Sequence, residues 1–426
     1  MSDSAKLVTT SDNSADPRVL PRLAEVLDTV LERFSITGAL GLILVDGEPL
    51  RPIEQKFGPE AFERARSDLG QLVRSVAEEI FGDEVILSSG ETGRCEALLL
   101  VASEGDHGEF YMKDLPAALE LVRRRLEQRQ GQRIGYPYMR RTPRLSIGSA
   151  LVLRNPHSSV ATEVRALLDE AREDAHLDSL HAHREDRRRM LELITCGQLH
   201  SVYEPIVDAK RLTVFGYEAL ARGPVDTELA APLVMFGLAE KEGLTFALDC
   251  LCRDKAIEGA IDFPSGAKLF INIRPSCFHD PSFKPDALKR TLERCNLGPT
   301  DVVFEISEQE SIDNYEILRE ARDFYGSQGF QFALDDTGAG YASLEAVMQL
   351  TPEFIKVDRA FVAGIDTDAS RRAMVEVFRS TADTMGAQII GEGLDTLAEL
   401  ETLGEMGIAF GQGWLFGKAT PLRGTH

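Results

Sequence analysis

Acidic and amide side chains recur at the ends of short apolar runs through the second half of this 426-residue chain. Glu218 lies within residues 215–221, and Asn272 falls near the end of 268–273. Glu305 ends 301–306, with Glu308 just beyond, and Asp335 and Asp336 end 331–336. Lys356 and Asp358 mark the end of 353–357, Glu392 follows 388–391, and Gln412 follows 408–411. Carboxylates crowded into a partly buried space drive one another toward the protonated form, a conflict that bound divalent cations remove. All-oxygen ligands suit Mg²⁺ or Mn²⁺ rather than zinc, which prefers sulfur and imidazole. None of the eight histidines falls on these segment ends. Two ions about 3.5–4 Å apart are a recurrent device for phosphodiester cleavage, acidifying a bridging water and neutralising the attacked phosphate. Adjacent residues face opposite sides of a regular strand. At least one of Asp335 and Asp336 is therefore expected past the strand end, with Asp335 bridging two ions and Asp336 binding one. Lys356 fits orientation of the nucleophile or stabilisation of developing charge. Taken singly, each group is ordinary surface or turn chemistry; the weight lies in their falling at the same end of successive strands.

The elements that must position them alternate strand and helix. Candidate strands cover 201–207, 215–221, 268–273, 301–306, 331–336, 353–357, 388–391 and 408–411, with helices such as 284–295, 314–328 and 370–385 between them. Eight strands alternating with helices predict a TIM-like (β/α)8 barrel, whose functional groups gather at the carboxyl ends of different strands. The first two strands are separated only by 208–211, so one irregular antiparallel strand is expected there.

The length suggests two or three domains. The formal net charge of −22 argues against binding duplex nucleic acid, which requires clustered cations, but leaves room for a small anionic ligand whose charge is met by metal ions. No run approaches the ~20 apolar residues of a membrane span. Residues 1–17 are polar and read as a disordered lead-in, and a cytoplasmic location is expected. The six cysteines form no C-x-x-C pair, and Cys250-x-Cys252 reads as helix packing rather than a zinc site. Residues 18–155 alternate helix and strand, for instance a strand over 39–45 ending at Asp46-Gly47, a helix over 61–80, a strand over 97–102, a helix over 115–128 and a strand over 145–153. Residues 156–196 form a helical connector, free of Gly and Pro from 157. It is expected either as one helix about 60 Å long at ~1.5 Å per residue or as two broken near 181–183, and either as a solvated spacer or as a signalling helix. Residues 197–426 form the barrel.

The ordered motifs of that last region resemble the EAL family of cyclic-di-GMP phosphodiesterases. Tyr217-Glu218-Ala219-Leu220-Ala221-Arg222 resembles the EAL signature, and Tyr203-Glu204-Pro205-Ile206-Val207 is similar to Y-Q-P-I-V. Ile271-Asn272-Ile273-Arg274-Pro275-Ser276 resembles the I-N-x-S segment, and Glu305-Ile306-Ser307-Glu308 resembles E-L-T-E. Asp335-Asp336-Thr337-Gly338-Ala339-Gly340-Tyr341 resembles D-D-F-G-T-G-Y, and Lys356-Val357-Asp358-Arg359 matches K-I-D-R. Glu392-Gly393-Leu394-Asp395 resembles E-G-V-E, and Gly411-Gln412-Gly413-Trp414 with Pro421 resembles Q-G-Y…P. The resemblance implies Mg²⁺- or Mn²⁺-dependent hydrolysis of cyclic-di-GMP to linear pGpG. It implies metal roles for Glu218, Asn272, Glu305, Asp335 and Asp336, and catalytic roles for Lys356, Glu392 and Gln412. It further implies substrate contacts for Arg222, Glu204, Glu308 and Asp358, and a homodimer through the barrel. Four positions depart from the pattern: Glu204 replaces a Gln, Gly223 a Trp, Thr337 a Phe and Asp395 a Glu. They motivate an alternative function as a non-catalytic cyclic-di-GMP receptor or a protein-interaction adaptor.

Residues 18–155 resemble a degenerate GGDEF domain through Ile43-Leu44-Val45-Asp46, Phe57-Gly58-Pro59-Glu60-Ala61, residues 97–101 and Leu145-Ser146-Ile147-Gly148. Thr92-Gly93-Arg94-Cys95-Glu96 stands where the catalytic turn belongs. The resemblance implies a regulatory domain without cyclase activity.

Overall fold

The computed structural model describes residues 19–130, 134–139, 143–308, 315–338 and 343–422. The chain divides into two compact units, Met1–Glu185 and Asp186–His426. The expected lead-in over 1–17 lies outside the described residues.

In the first unit an antiparallel sheet has the order β2-β3-β1-β4, with β1 Ala39–Asp46, β2 Val85–Ser89, β3 Glu96–Ala102 and β4 Ser146–Leu153. Strand β1 is central and apolar on both faces, so it carries two cores at once. Ile43 and Val45 pack with Phe62, Leu69 and Val73 of the helix Pro59–Phe81 and with Val122 and Leu126 of the helix Leu115–Gln130. Leu40, Leu42 and Leu44 pack with Val30 and Phe34 of the helix Leu23–Thr37 and with Val164, Leu167 and Ala171 further along the chain. Strand β2 was not expected. Its five residues follow the preceding helix after only Gly82–Glu84 and are too few to show a period.

The helix Val160–Thr195 is continuous, with no break at 181–183. Ser159 Oγ accepts the Thr162 amide at its start, an ordinary N-cap. Its first half is no solvated spacer. Val164, Leu167, Leu168, Ala171 and Ala175 are core residues of the first unit, and Asp174 and Asp178 accept the Ser149 and Ile147 amides of β4 at 2.8 and 3.1 Å. Its last turns belong to the second unit, where Met190 and Leu193 are buried with Leu199, Leu229, Met235 and Leu248. The boundary between the units thus falls inside the helix, not at its ends.

The second unit is a closed eight-stranded barrel: β5 His200–Asp208, β6 Val214–Arg222, β7 Lys268–Asn272, β8 Val302–Ser307, β9 Gln331–Thr337, β10 Phe354–Val357, β11 Gln388–Gly391 and β12 Phe410–Gln412. Neighbours are parallel except around β5, which runs antiparallel to both β6 and β12. The reversal follows from the tight connection to β6, where the Asp208 carboxylate accepts the amides of Lys210 and Arg211. A large outer core lies between strands and helices. A smaller one fills the barrel's interior with Ile206, Phe270, Val303, Ala333, Phe354, Ile390 and Phe410, and the Phe215 ring stacks on Phe410 at 3.9 Å. The six cysteines are free thiols.

Candidate active site

Side chains alternate across a strand, so the next residue on the same face lies two positions on. Two positions beyond Phe270, Val303, Ala333, Phe354, Ile390 and Phe410 stand Asn272, Glu305, Asp335, Lys356, Glu392 and Gln412. Strand β5 runs the other way, and two positions before Ile206 stands Glu204, paired across the ladder with Glu218. An apolar layer thus carries a charged layer directly above it, and residues dispersed over two hundred positions become one cluster.

Lys356 is its centre. The side chain is fully buried, and its Nζ lies 3.1 Å from Glu218 Oε2, 2.9 Å from Glu305 Oε1, 3.1 Å from Asp335 Oδ1 and 2.8 Å from Glu392 Oε1. Glu218 also accepts the side-chain amides of Asn272 at 2.9 Å and Gln412 at 2.7 Å. Four carboxylates against one ammonium leave a formal charge of −3. Burial opposes the lysine's charge, but Asp335, Glu218, Glu305 and Glu392 outweigh it and hold its pKa well above the ordinary value. Burial likewise works against ionisation of Glu218, yet Lys356, Gln412 and Asn272 prevail and lower its pKa. The excess negative charge appears in the others. Burial, then repulsion from Glu218, pushes Glu305 well up. Burial also raises Asp335 and Glu392 against the pull of Lys356. Asp336 is raised to about 6 by burial and by Asp335, and Glu204 is raised by burial and by Glu218.

The donors fit divalent cations. Carboxylate oxygens of Glu218, Glu305 and Asp335 lie within 4.8 Å of one another, as do those of Asp335, Asp336 and Glu392. The two triads share Asp335. Both Glu305 oxygens, Asp335 Oδ1 and Gln412 Oε1 are buried without an aligned hydrogen bond, although Lys356 is within ion-pair distance of two of them. Buried acceptors left this way are what a hard cation satisfies. The route to the second triad differs from the expected one. Strand β9 continues through Thr337, so neither aspartate lies past its end. Instead Asp336 adopts a left-handed φ of 55°, and the β9/β10 register shifts beside it. A positive φ in a non-glycine residue is strain that surrounding structure must hold.

The remaining expected residues sit around this cluster. Glu308 is buried and accepts the Gly338 amide at 3.2 Å, bracing the segment after the aspartates. Thr337 is buried, its hydroxyl donating to the Leu334 carbonyl at 3.3 Å. Ala339 to Tyr341 of the expected loop lie outside the described residues. The Asp358 carboxylate caps the short helix Arg359–Val362 through the Ala360 amide at 2.7 Å, which puts it outside both triads. Arg222 donates to its neighbour's carbonyl at 2.8 Å. With Asn272, Arg274 and Ser307 it lines a cavity of about 280 Å³ on the β6–β8 flank. A Cβ at Gly223 would meet the Leu229 carbonyl oxygen at 2.0 Å, so the backbone itself occupies that space. Asp395 pairs with Arg359 at 2.6 Å. The loop after β11 is tied by Glu399, not anticipated from the sequence, which accepts the amides of Asp395, Thr396 and Gly364 at 2.7–2.9 Å. The Thr396-x-x-Glu399 spacing of a capping box was the available signal.

The EAL domain family model matches residues 186–419, more than half of the chain. The chain belongs to the EAL-domain family. Among curated relatives, the probable cyclic di-GMP phosphodiesterase PdeN of Escherichia coli (strain K12) is 28% identical over 243 residues, covering 55% of this chain and 46% of that protein. The chain spans less than half the length of the first curated relatives it matches. Among solved structures, the cyclic-di-GMP complex of the PaMucR phosphodiesterase aligns with a TM-score of 0.50 and 25% identity, over 56% of this chain and 98% of that one. The Xanthomonas citri FimX EAL domain in complex with c-diGMP aligns with a TM-score of 0.52 and 18% identity, over 58% and 99%, a likeness of fold. In this EAL barrel the charged layer is built from motif residues: Glu204, Glu218, Asn272, Glu305, Asp335, Lys356, Glu392 and Gln412.

Proposed function

We propose that the barrel hydrolyses cyclic-di-GMP to linear pGpG with Mg²⁺ or Mn²⁺. Glu218, Asn272, Glu305, Asp335 and Asp336 would hold the ions. When bound, the ions would supply Lewis acidity at the attacked phosphate and acidify water. Lys356 holds Glu218, Glu305, Asp335 and Glu392 in place and orients the nucleophile through them. Gln412 fixes the Glu218 carboxylate, and Glu392 pairs with Lys356. Arg222 faces a substrate phosphate from the β6–β8 flank, and Glu204, Glu308 and Asp358 serve the substrate side directly or through their loops. The observation carrying this reading is the pair of carboxylate triads that share Asp335 around a buried lysine. It accords with relatives named as cyclic-di-GMP phosphodiesterases.

A receptor that binds without turnover is the second reading. It is favoured by the carboxylate of Glu204 where an amide is usual and by the closed backbone at Gly223. Cyclic-di-GMP turnover with Mn²⁺, parent against Glu218→Ala, separates the two. Turnover abolished by the substitution supports the enzyme; binding with no metal-dependent turnover in the parent supports the receptor.

The first unit is a degenerate GGDEF-like regulator over residues 18–155, with 156–196 as the connecting helix. Glu96, the one acid of the Thr92–Glu96 stretch, supports this: Arg172 donates to both its oxygens at 3.0 and 2.9 Å. Formation of cyclic-di-GMP from GTP by the full chain would refute it. The reading also includes a homodimer through the barrel, a regulatory protein partner and a cytoplasmic location. Among the described residues no helix is long and apolar enough to cross a membrane.

A further inference from the structure

We infer that the first unit binds a small organic cation with an apolar body, in a cavity at one end of its sheet. The inference concerns this unit alone and does not depend on what the barrel does. Strand β2 begins and β3 ends at the cavity, which Glu84 and Ala102 both line. Residues 90–95, which join the other ends of these two strands, lie at the far end of the sheet. The cavity holds about 740 Å³, within the range of about 300–1,000 Å³ usual for small-molecule sites. Its floor is apolar. Phe110 and Leu115 are buried there, and Phe81, Val101 and Ala118 are half-buried beside them. The wall Phe110–Asp114 is a π-helical turn set between the α-helical residues His107–Glu109 and Leu115–Gln130, a widening that recurs at functional sites.

The rim is acidic. Asp83, Glu84, Glu104 and Asp114 stand exposed around it against a single cation, Arg33, for a formal charge of −3. Arg33 is already engaged, donating to the Glu84 carbonyl at 3.3 Å. The helices Leu23–Thr37 and Pro59–Phe81 both end at the cavity, and neither carries a basic residue in its last turn. Their carbonyl ends add to the negative potential. Among the described residues these four carboxylates form no group close enough to share one metal ion. An extended cation fits their spacing better than a point charge. Its charged group meets the rim and its body covers the floor, where the rings of Phe81 and Phe110 attract both apolar surface and positive charge. Acidic surface is general in a chain of net charge −22; what selects this place is the concave apolar floor beneath it.

Crystal violet, an aromatic monocation whose emission rises when its rings are immobilised, is a direct probe. Titrated with the full chain at about 0.15 M salt, it should bind saturably at a single site with a micromolar Kd. The anion 8-anilinonaphthalene-1-sulfonate, of similar apolar character, should not displace it. Ala118→Phe fills the cavity from its floor and should weaken binding about tenfold or more. Glu104→Gln combined with Asp114→Asn alters only exposed rim groups, spares the fold, and should weaken binding about fivefold, and more at low salt. Unchanged affinity in the rim pair or in folded Ala118→Phe would overturn the inference, and the rim pair decides if Ala118→Phe does not fold. Non-saturating adsorption, displacement by the anion, or no binding to the parent would overturn it equally. None of these outcomes bears on hydrolysis by the barrel, whose own assay stands apart.

Discussion

Replacing Lys356 with methionine removes the only positive charge within ion-pair distance of Glu218, Glu305, Asp335 and Glu392 among the described residues, while nearly preserving side-chain volume. The formal charge of the cluster goes from −3 to −4. Removing one member of a fully buried ion pair costs about 3–5 kcal/mol, because the partner charge is left uncompensated. At roughly 2–4 °C per kcal/mol for a unit of this size, the barrel's melting temperature in EDTA should fall by about 10 °C. Without the ammonium that lowers them, the folded-state pKa values of Glu305, Asp335 and Glu392 rise further above the unfolded ones, and the carboxylates escape by taking up protons. A group shifted in that direction lowers stability progressively as pH rises, so the gap between Lys356→Met and the parent should widen from pH 6 to pH 8. Mn²⁺ supplies the missing positive charge and should raise the melting temperature of the variant by more than that of the parent, while turnover stays at least a hundredfold down. Differential scanning fluorimetry over that pH range, with EDTA and with Mn²⁺, reads all of this. An unchanged melting temperature in EDTA, or a gap that narrows as pH rises, would refute the electrostatic account of the site.

Other expectations follow from single contacts. Burial resists the charge on Asp280, but Arg253 and Ser282 lower its pKa to about 2, a shift worth roughly 2 kcal/mol. Asp280→Asn should therefore destabilise the barrel by about that much at pH 7. The difference should shrink as pH falls from about 4 toward 2, read by urea denaturation; a difference constant across that window would exclude the ion pair as its source. Gly223→Ala places a methyl against the Leu229 carbonyl and should cost about 1–3 kcal/mol through backbone displacement, checked by the same melt. A neutral result would mean that the 223–229 loop yields freely.

Much of the site was legible because a barrel converts sequence spacing into position with little freedom. An apolar residue followed two places later by an acid, amide or lysine recurs on six strands, from Phe270 and Asn272 to Phe410 and Gln412, and the reversed β5 obeys the same rule backwards. The placement of Asp336 was not legible, since a left-handed backbone at an aspartate depends on the β10 register beside it rather than on the residue. Glu399 escaped notice because its role is to bind three amides from two loops, a tertiary property, although its own capping box was in plain view. The closure at Gly223 was not legible, since the Leu229 carbonyl beneath it comes from a turn whose path no local pattern reveals.

The helix Val160–Thr195 bears on how this protein can be dissected. A fragment cut at residue 197, where the sequence alone would start the barrel, discards Met190 and Leu193 and leaves Leu199, Met235 and Leu248 facing water. A fragment starting at 186 retains them but begins mid-helix, without the capping Ser159 and the aspartates that tie the earlier turns to β4. Activities measured on truncated forms will therefore report the chosen cut site as well as the catalytic machinery, and the intact chain is the proper reference.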